Sequence, residues 1–538
     1  MYDMERKIEE MRLNMKSNFF KYLFAIFVIC IMFFAVYKIK TEEEKQEQDQ
    51  TTVGTEEKKI TEITLGVASL DSTNPILSKN KNIQDISRLI YEPLIQITSD
   101  YKAEGCLAKE WAKQNATTYI IKLKENVRWS NGEKFTADDV KFTIEKIKSI
   151  NSIYTSQVKN IASIDITDDY TLKINLDKEI PFFEYQLTFP IMSSQFFQDK
   201  EFNAGIVPVG TGMYKYSDVQ STNLTLEKNT NWWDNKTNLT ITKITINLYS
   251  SLAELYNSFK MGNIDVIDTD NSNLQEYIGT IGYAKKEMKG REHVFLALNN
   301  SSNFLSRKEV RKAISYSIDK TNIVSSIFNN QYFTSSFPLD YGTWIYQEQD
   351  ASAGYNLDQA QKILTENGWT FKNKNWQKIE NYKTQKLQLN LVVKASDSNR
   401  ILVVQNIATQ LENQGIHINI VQLSDEQYYN CLNTKNYDMI LCSINLSLTP
   451  DMTTFFGDNN IANYQNDEVK SIMEEVKNTT DKNTLKEKYK KIAEIYKEDS
   501  PYISLYNNKF TVAYSTGLKG DVTPNWYNVF YNIANWYK

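Results

Sequence analysis

The side chains able to do chemistry are few and scattered. Two histidines, His293 and His417, stand far apart, and four cysteines, Cys30, Cys106, Cys431 and Cys442, show no Cys-x-x-Cys spacing. The usual zinc sites are therefore not written into the chain. Cys431 and Cys442 are open to two readings, a bridge or free buried thiols. Gly210-Thr211-Gly212 offers a tight turn, but no Gly-Lys-Ser/Thr follows, so it is not a phosphate loop. Asp265 has no visible partner acid for general acid–base work and reads as structural. With no Ser-His-Asp, paired-acid or metal constellation, the chain does not read as an enzyme and no cofactor is implied. What remains is reversible recognition through hydrogen bonds, charges and rings, of which 33 Tyr, 25 Phe and 9 Trp are available. Most of these serve cores first. A net charge of -5 argues against nucleic acid, which needs a basic patch.

The elements that would position such groups are legible along most of the chain. At 538 residues it exceeds one ordinary core and predicts two or three lobes. Residues 1–18 form a mixed-charge cytoplasmic segment. Residues 19–37 are apolar but for Lys21, close to the ~20 residues that span a bilayer. The exit, Ala35-Val36-Tyr37-Lys38, has no small-x-small cleavage site, and Ile29 before Cys30 does not fit a lipobox. This favours an uncleaved anchor over a signal peptide. Basic residues on its amino side place that end in the cytoplasm and the remainder outside, as a single-pass protein of the cell membrane. Residues 38–60 are charged, nearly free of apolar groups, and read as a flexible tether.

Beyond the tether, Asn115–Lys146 predicts a strand with Tyr119, Ile121 and Leu123 on one face. A Ser130-Asn131-Gly132 turn follows, then a helix opened by Thr136 with a Val140, Ile144 and Ile147 stripe. Ile63-Leu65-Val67, Thr171–Leu176 and Ile244-Ile246-Leu248 alternate as strands, and a further strand begins at His293. Leu252–Lys260 predicts a helix with Gly262 past its end. From Leu387 to Ile420 the pattern is strand, helix, strand, a crossover that implies a parallel pair in an α/β lobe. Helices are expected over Asp467–Val476 and Leu485–Lys497. The two histidines read as one packing and one edge residue.

Six segments in order resemble the family 5 extracellular solute-binding proteins, the oligopeptide and dipeptide receptors of ABC importers. They include Tyr91-Glu92-Pro93-Leu94, the stretch Asn115–Lys146, Pro208-Val209-Gly210-Thr211-Gly212-Met213-Tyr214, Met261-Gly262-Asn263-Ile264-Asp265-Val266, Val310-Arg311-Lys312-Ala313-Ile314-Ser315-Tyr316-Ser317-Ile318-Asp319, and Tyr437-Asp438-Met439. The resemblance implies an α/β, two-lobed periplasmic-binding-protein-like fold with an extra inserted lobe. Residues 61–95, 207–295 and 510–538 would form a discontinuous lobe I, 96–206 the small inserted lobe, and 296–509 lobe II. It also implies a peptide or peptide-like solute enclosed by cleft closure, delivery to ABC transporter permease subunits, and no covalent chemistry on the ligand.

The family's amine-holding Asp precedes a Pro-containing turn, and here that region is Ser443-Ile444-Asn445-Leu446-Ser447-Leu448-Thr449-Pro450-Asp451. Asn445 occupies the amine-holding position, Asp451 is the nearby acid, and Ser443 and Ser447 flank them. An amide in place of a carboxylate forfeits the charge-assisted part of the bond, of order 1 kcal/mol. For a ligand carboxylate, Lys394 stands where short-peptide binders carry Arg, with Arg400 about a turn beyond; a solvated surface lysine is the competing reading. Alternatives are a receptor for a non-peptide solute such as a nickel chelate or sugar, and a sensor or scaffold that keeps the fold without the cleft chemistry.

Overall fold

The computed structural model describes residues 61–270, 274–279, 281–339, 342–346 and 354–538. Thr61–Lys538 is one compact unit. The cytoplasmic segment, anchor and tether lie outside the described residues. Among the described residues no helix is long and apolar enough to cross a membrane.

An eleven-stranded mixed sheet organises the unit. From one edge it runs His417–Leu423, Gln388–Lys394, Met439–Asn445, Tyr283–Leu298, Tyr502–Ser515, Val266–Thr269, Glu62–Val67, Lys243–Leu248, Asn223–Lys228 and Tyr214–Val219, with Phe333–Thr334 paired to Tyr502–Ser515 off this path. Gln388–Lys394 and His417–Leu423 pair in parallel across the helix Ser398–Asn413, as the crossover pattern predicts. His417 lies on the edge strand, whereas His293 is fully buried between Asn507 Oδ1 at 3.4 Å and Ser504 Oγ at 3.2 Å.

The two central strands are the longest in the protein's described part, at 16 and 14 residues, and run antiparallel from Tyr283↔Ser515 to Ala297↔Tyr502. They pass from one set of apolar cores to another. Phe510 and Val512 belong with Ile63, Leu65 and Leu226, while Leu296, Leu298, Ile503 and Leu505 belong with Leu389, Val404 and Ile407. Between these halves the register slips twice, at Lys289/His293 and Val294/Phe295. Gly290 sits in the slip. A Cβ there would meet Asn508 Oδ1 at 2.1 Å, the atom that accepts from Glu292 N at 3.0 Å. The bulge therefore needs glycine for the asparagine to close it.

Residues 108–176 carry a second, four-stranded sheet ordered Ala108–Asn115, Thr118–Leu123, Thr171–Leu176, Ile161–Asp168. Tyr119, Ile121 and Leu123 point inward, and Val140, Ile144 and Ile147 bury the helix Ala137–Ser149 against them. Their core is continuous with that of the first half of the large sheet. The recognisable motifs meet at this junction. Gly212 N donates to Ile90 O at 2.8 Å, Ser130 N to Gly210 O at 2.8 Å, and both Trp232 and Trp233 indole N–H groups donate to Glu92. They build scaffold. Asp139, 2 % exposed, accepts from Thr136 N, Ser194 N and Oγ, and Trp129 Nε1 at 2.8–3.2 Å. Asp139→Ala strands those buried donors and is expected to cost about 3 kcal/mol in a urea unfolding curve.

Candidate functional site

Where the long strands pass between cores, their side chains line a cavity of about 500 Å3. Six elements reach it, one of them the helix Leu252–Lys260 through Leu252 and Tyr256. Arg291 and Glu292 come from the bulged strand, Asn508 and Phe510 from its partner. Asn445 and Leu446 end the strand Met439–Asn445, Asp268 and Asp270 end Val266–Thr269, and Lys81 and Asn82 open the helix Lys81–Ser87; Trp526 adds an aromatic wall. Strand ends gather here because register pairs Glu292 with Asn445 and carries Val266–Thr269 alongside Tyr502–Ser515. The volume is in the range of small-molecule sites.

Most charges in the cavity are already spoken for. Lys81 pairs with buried Asp85, and its ammonium lies 5.4 Å from both the Phe510 and Trp526 ring centres. Glu292 Oε1 accepts from Arg400 Nη2 at 2.6 Å. Arg291, 6 % exposed, donates from Nε to Leu446 O at 3.0 Å and from Nη2 to Ser447 O at 2.5 Å, with its guanidinium over Tyr101 and Trp526. Asn82 Nδ2 donates to Asp268 Oδ1 at 2.8 Å. Burial, and then the charge of Asp85, push the Asp268 carboxyl up to about 6, with Lys81 and the Asn82 bond opposing. Asp270 is exposed to the cavity and has no hydrogen bond or ion pair among the described residues; the Asn445 side chain is likewise unbonded there. The arrangement is an anion-rich, ring-lined recess with one carboxylate free and a second held at a high pKa, suited to a cation with donors.

The five residues singled out from the sequence do not form one cluster. Asn445 lines the cavity. Ser443 lies one step behind, its Oγ accepting from Arg400 Nη2 at 2.6 Å. Ser447 offers its carbonyl to Arg291, while its Oγ accepts from Thr449 N at 3.2 Å. Asp451 is turned to its own chain, accepting from Thr453 N at 2.9 Å at the start of the short helix Thr453–Phe456. Lys394 donates to Tyr429 OH at 2.8 Å and stands 4.0 Å from that ring centre. Asp268, Asp270, Arg291 and Glu292 were not anticipated. The only trace of them in the sequence is the alternation of acids in Asp265-Val266-Ile267-Asp268-Thr269-Asp270, which puts 268 and 270 on one face past a strand. Among the described residues no group of three or more His, Cys, Asp and Glu side chains is set to hold a metal ion, and Cys106, Cys431 and Cys442 are free and buried.

Hydrogen bonds join residues between 96 and 206 to residues between 296 and 509. Trp344 N donates to Asp100 O at 2.9 Å, Trp344 Nε1 to Tyr185 OH at 2.9 Å, and Lys113 Nζ to Lys477 O at 3.1 Å. Leu448 packs with Tyr185, Tyr527 and Trp526. Beside them a second gap of about 790 Å3 opens between the same two regions.

Residues 102–466 match the family model described as bacterial extracellular solute-binding proteins, family 5 Middle. The chain is 22% identical over 495 residues to the oligopeptide-binding protein AppA of Bacillus subtilis (strain 168), covering 86% of this chain and 89% of that one. It is 24% identical over 457 residues to the nickel-binding protein NikA of Staphylococcus aureus (strain NCTC 8325 / PS 47), covering 80% and 86%. The crystal structure of the periplasmic murein tripeptide binding protein MppA, in an unliganded open form, superposes with a TM-score of 0.73 at 17% identity, covering 86% and 94%, a likeness of fold.

Proposed function

The chain belongs to the bacterial extracellular solute-binding proteins of family 5, and from that premise we propose that it captures short peptides or peptide-like solutes bearing a free ammonium group and passes them to the permease subunits of an ABC importer. The observation that carries this reading is the unpartnered Asp270 carboxylate beside high-pKa Asp268, facing Asn445 across the 500 Å3 recess. The family's acid on the Asn445 side is an amide here, and the carboxylates stand on the opposite wall. An ammonium placed between them regains a charge-assisted bond, worth roughly 1.5–3 kcal/mol.

In this reading residues 19–37 anchor the chain, 38–60 tether it, and the folded part works outside the cell. Lobe I is 61–95, 207–295 and 510–538, the small lobe 96–206 and lobe II 296–509. The change of core along the two long strands supports placing lobe boundaries near 295 and 509.

Calorimetric titration of the Thr61–Lys538 fragment with di- to tetrapeptides tests the reading. Free-amine peptides are expected to bind at least tenfold more tightly than their N-acetylated forms. Asp270→Asn should erase that difference, and Asn445→Asp should enlarge it. Equal affinity for acetylated and free peptides, or no binding of either beside a co-purified non-amine solute in native mass spectrometry, would remove the peptide-amine reading.

A further inference from the structure

Residues 370–386 form a small antiparallel sheet of their own, Thr370–Lys372, Asn375–Glu380 and Lys383–Lys386. Its two connections are two-residue turns, Asn373-Lys374 and Asn381-Tyr382, all four residues with φ between 48° and 61° as tight hairpins require. The inner face is tied down. Trp376 is 5 % exposed and donates from Nε1 to Gln414 O at 2.8 Å, and Glu380 bonds Arg307 at 2.6 Å.

The outer face is different. Pairing of Asn375 with Lys372, Gln377 with Lys386 and Ile379 with Thr384 sets Lys372, Ile379 and Lys386 on it together. Ile379 is 75 % exposed, and Tyr382, at the tip of a turn, is fully exposed. The stretch carries five lysines against one glutamate in a chain of net charge -5. The ammonium groups of Lys372, Lys374 and Lys386 meet no acid among the described residues, whereas the single glutamate, Glu380, and its cross-strand partner Lys383 lie on the inner face.

We propose that this outer sheet docks on the surface of an anionic lipid bilayer, with Tyr382 and Ile379 entering the headgroup layer and Lys372, Lys374 and Lys386 against lipid phosphates. Charge complementarity selects the occupant. A protein interface of useful affinity is built around a contiguous apolar core, and this face offers one aliphatic side chain and one tyrosine, too little for that. Isolated Tyr at headgroup depth with a ring of flexible lysines is the composition that membrane interfaces take. The rigid double hairpin presents these groups without ordering cost at the moment of contact.

Thr61–Lys538 is a compact unit of its own, and among the described residues its apolar cores run from Ile63 to Trp536, so this fragment, which lacks the N-terminal apolar run, is the protein to use. It is expected to float with vesicles of equal phosphatidylcholine and phosphatidylglycerol in 0.1 M salt, and not with phosphatidylcholine alone. Charge reversal at Lys372, Lys374 and Lys386 to Glu should lower partitioning at least tenfold, and Tyr382→Ser with Ile379→Ser several-fold, with thermal midpoints unchanged. Equal flotation with neutral vesicles, none with either, or undiminished flotation of the charge-reversed variant would overturn the proposal.

Discussion

Asp268→Asn should make the ligand-free protein more stable at pH 7.5 and at the same time a poorer receptor. The Asp268 carboxyl is raised to about 6 by burial and by Asp85, against a value near 3.9 in an unfolded chain. The folded protein thus holds this proton more tightly than the unfolded chain. The site's contribution to stability is full below pH 4, declines as pH rises through 6 and is flat above. Ionised Asp268 therefore costs the empty fold of order 1–3 kcal/mol at neutral pH after allowance for its partial exposure. The amide removes that cost and can still accept from Asn82 Nδ2. Differential scanning calorimetry should show a gain of a few degrees at pH 7.5 that shrinks toward pH 4.5. Titration should show affinity for a free-amine peptide falling at least tenfold. In the wild type that affinity should itself weaken on acidification below about pH 6, and the variant should lose this dependence. A lower midpoint at pH 7.5, or an unchanged affinity, refutes the role assigned to Asp268.

Arg291→Ala is expected to be more damaging. The guanidinium is nearly buried and bonds two consecutive carbonyls, those of Leu446 and Ser447, while its faces lie on Tyr101 and Trp526. It links the bulged strand to the segment after Asn445 and to groups on both sides of the recess. Its loss leaves carbonyls without donors beside an apolar wall, with a cost of about 2–4 kcal/mol in urea unfolding and roughly a hundredfold loss of solute affinity. Arg291→Lys should recover little, because a point ammonium cannot span both carbonyls and the rings together. A lysine variant with wild-type affinity would show that only the positive charge matters.

Local patterns carried much of the fold, and their limits are physical. The crossover from Leu387 to Ile420, the Thr118–Leu123 strand and the helix with Val140, Ile144 and Ile147 each bury one face, so period-2 or 3.6 patterning survives in them. The strand expected to begin at His293 begins instead at Tyr283. Its first half, Tyr-Ala-Lys-Lys-Glu-Met-Lys-Gly-Arg-Glu, is charged, and the register slips at 289–293 break the alternation that would have announced it. The family resemblance rested on residues such as Glu92, Gly210 and Gly212, which interlock backbone and indoles and do not line the recess. Asn445 could be placed because the resemblance sets it at the family's amine-holding position ahead of the Pro450 turn. Asp268 and Asp270 could not, since only the sheet order, bringing residues near 268, 291 and 445 together, reveals that they share a wall.

Large loops are the obvious joints in multi-lobed proteins, yet in the lobe division proposed above the main sheet itself continues through the joint as a ribbon of two hydrogen-bonded strands. Such a ribbon resists bending in its own plane and yields in torsion. On that division, opening and closing are expected to wind and unwind the ribbon about the strand axis where Gly290 and Asn508 interrupt the ladder. The amides of 289–293 and 507–509 would act as the strain gauge, with exchange rates that track solute occupancy while the rest of the sheet stays protected.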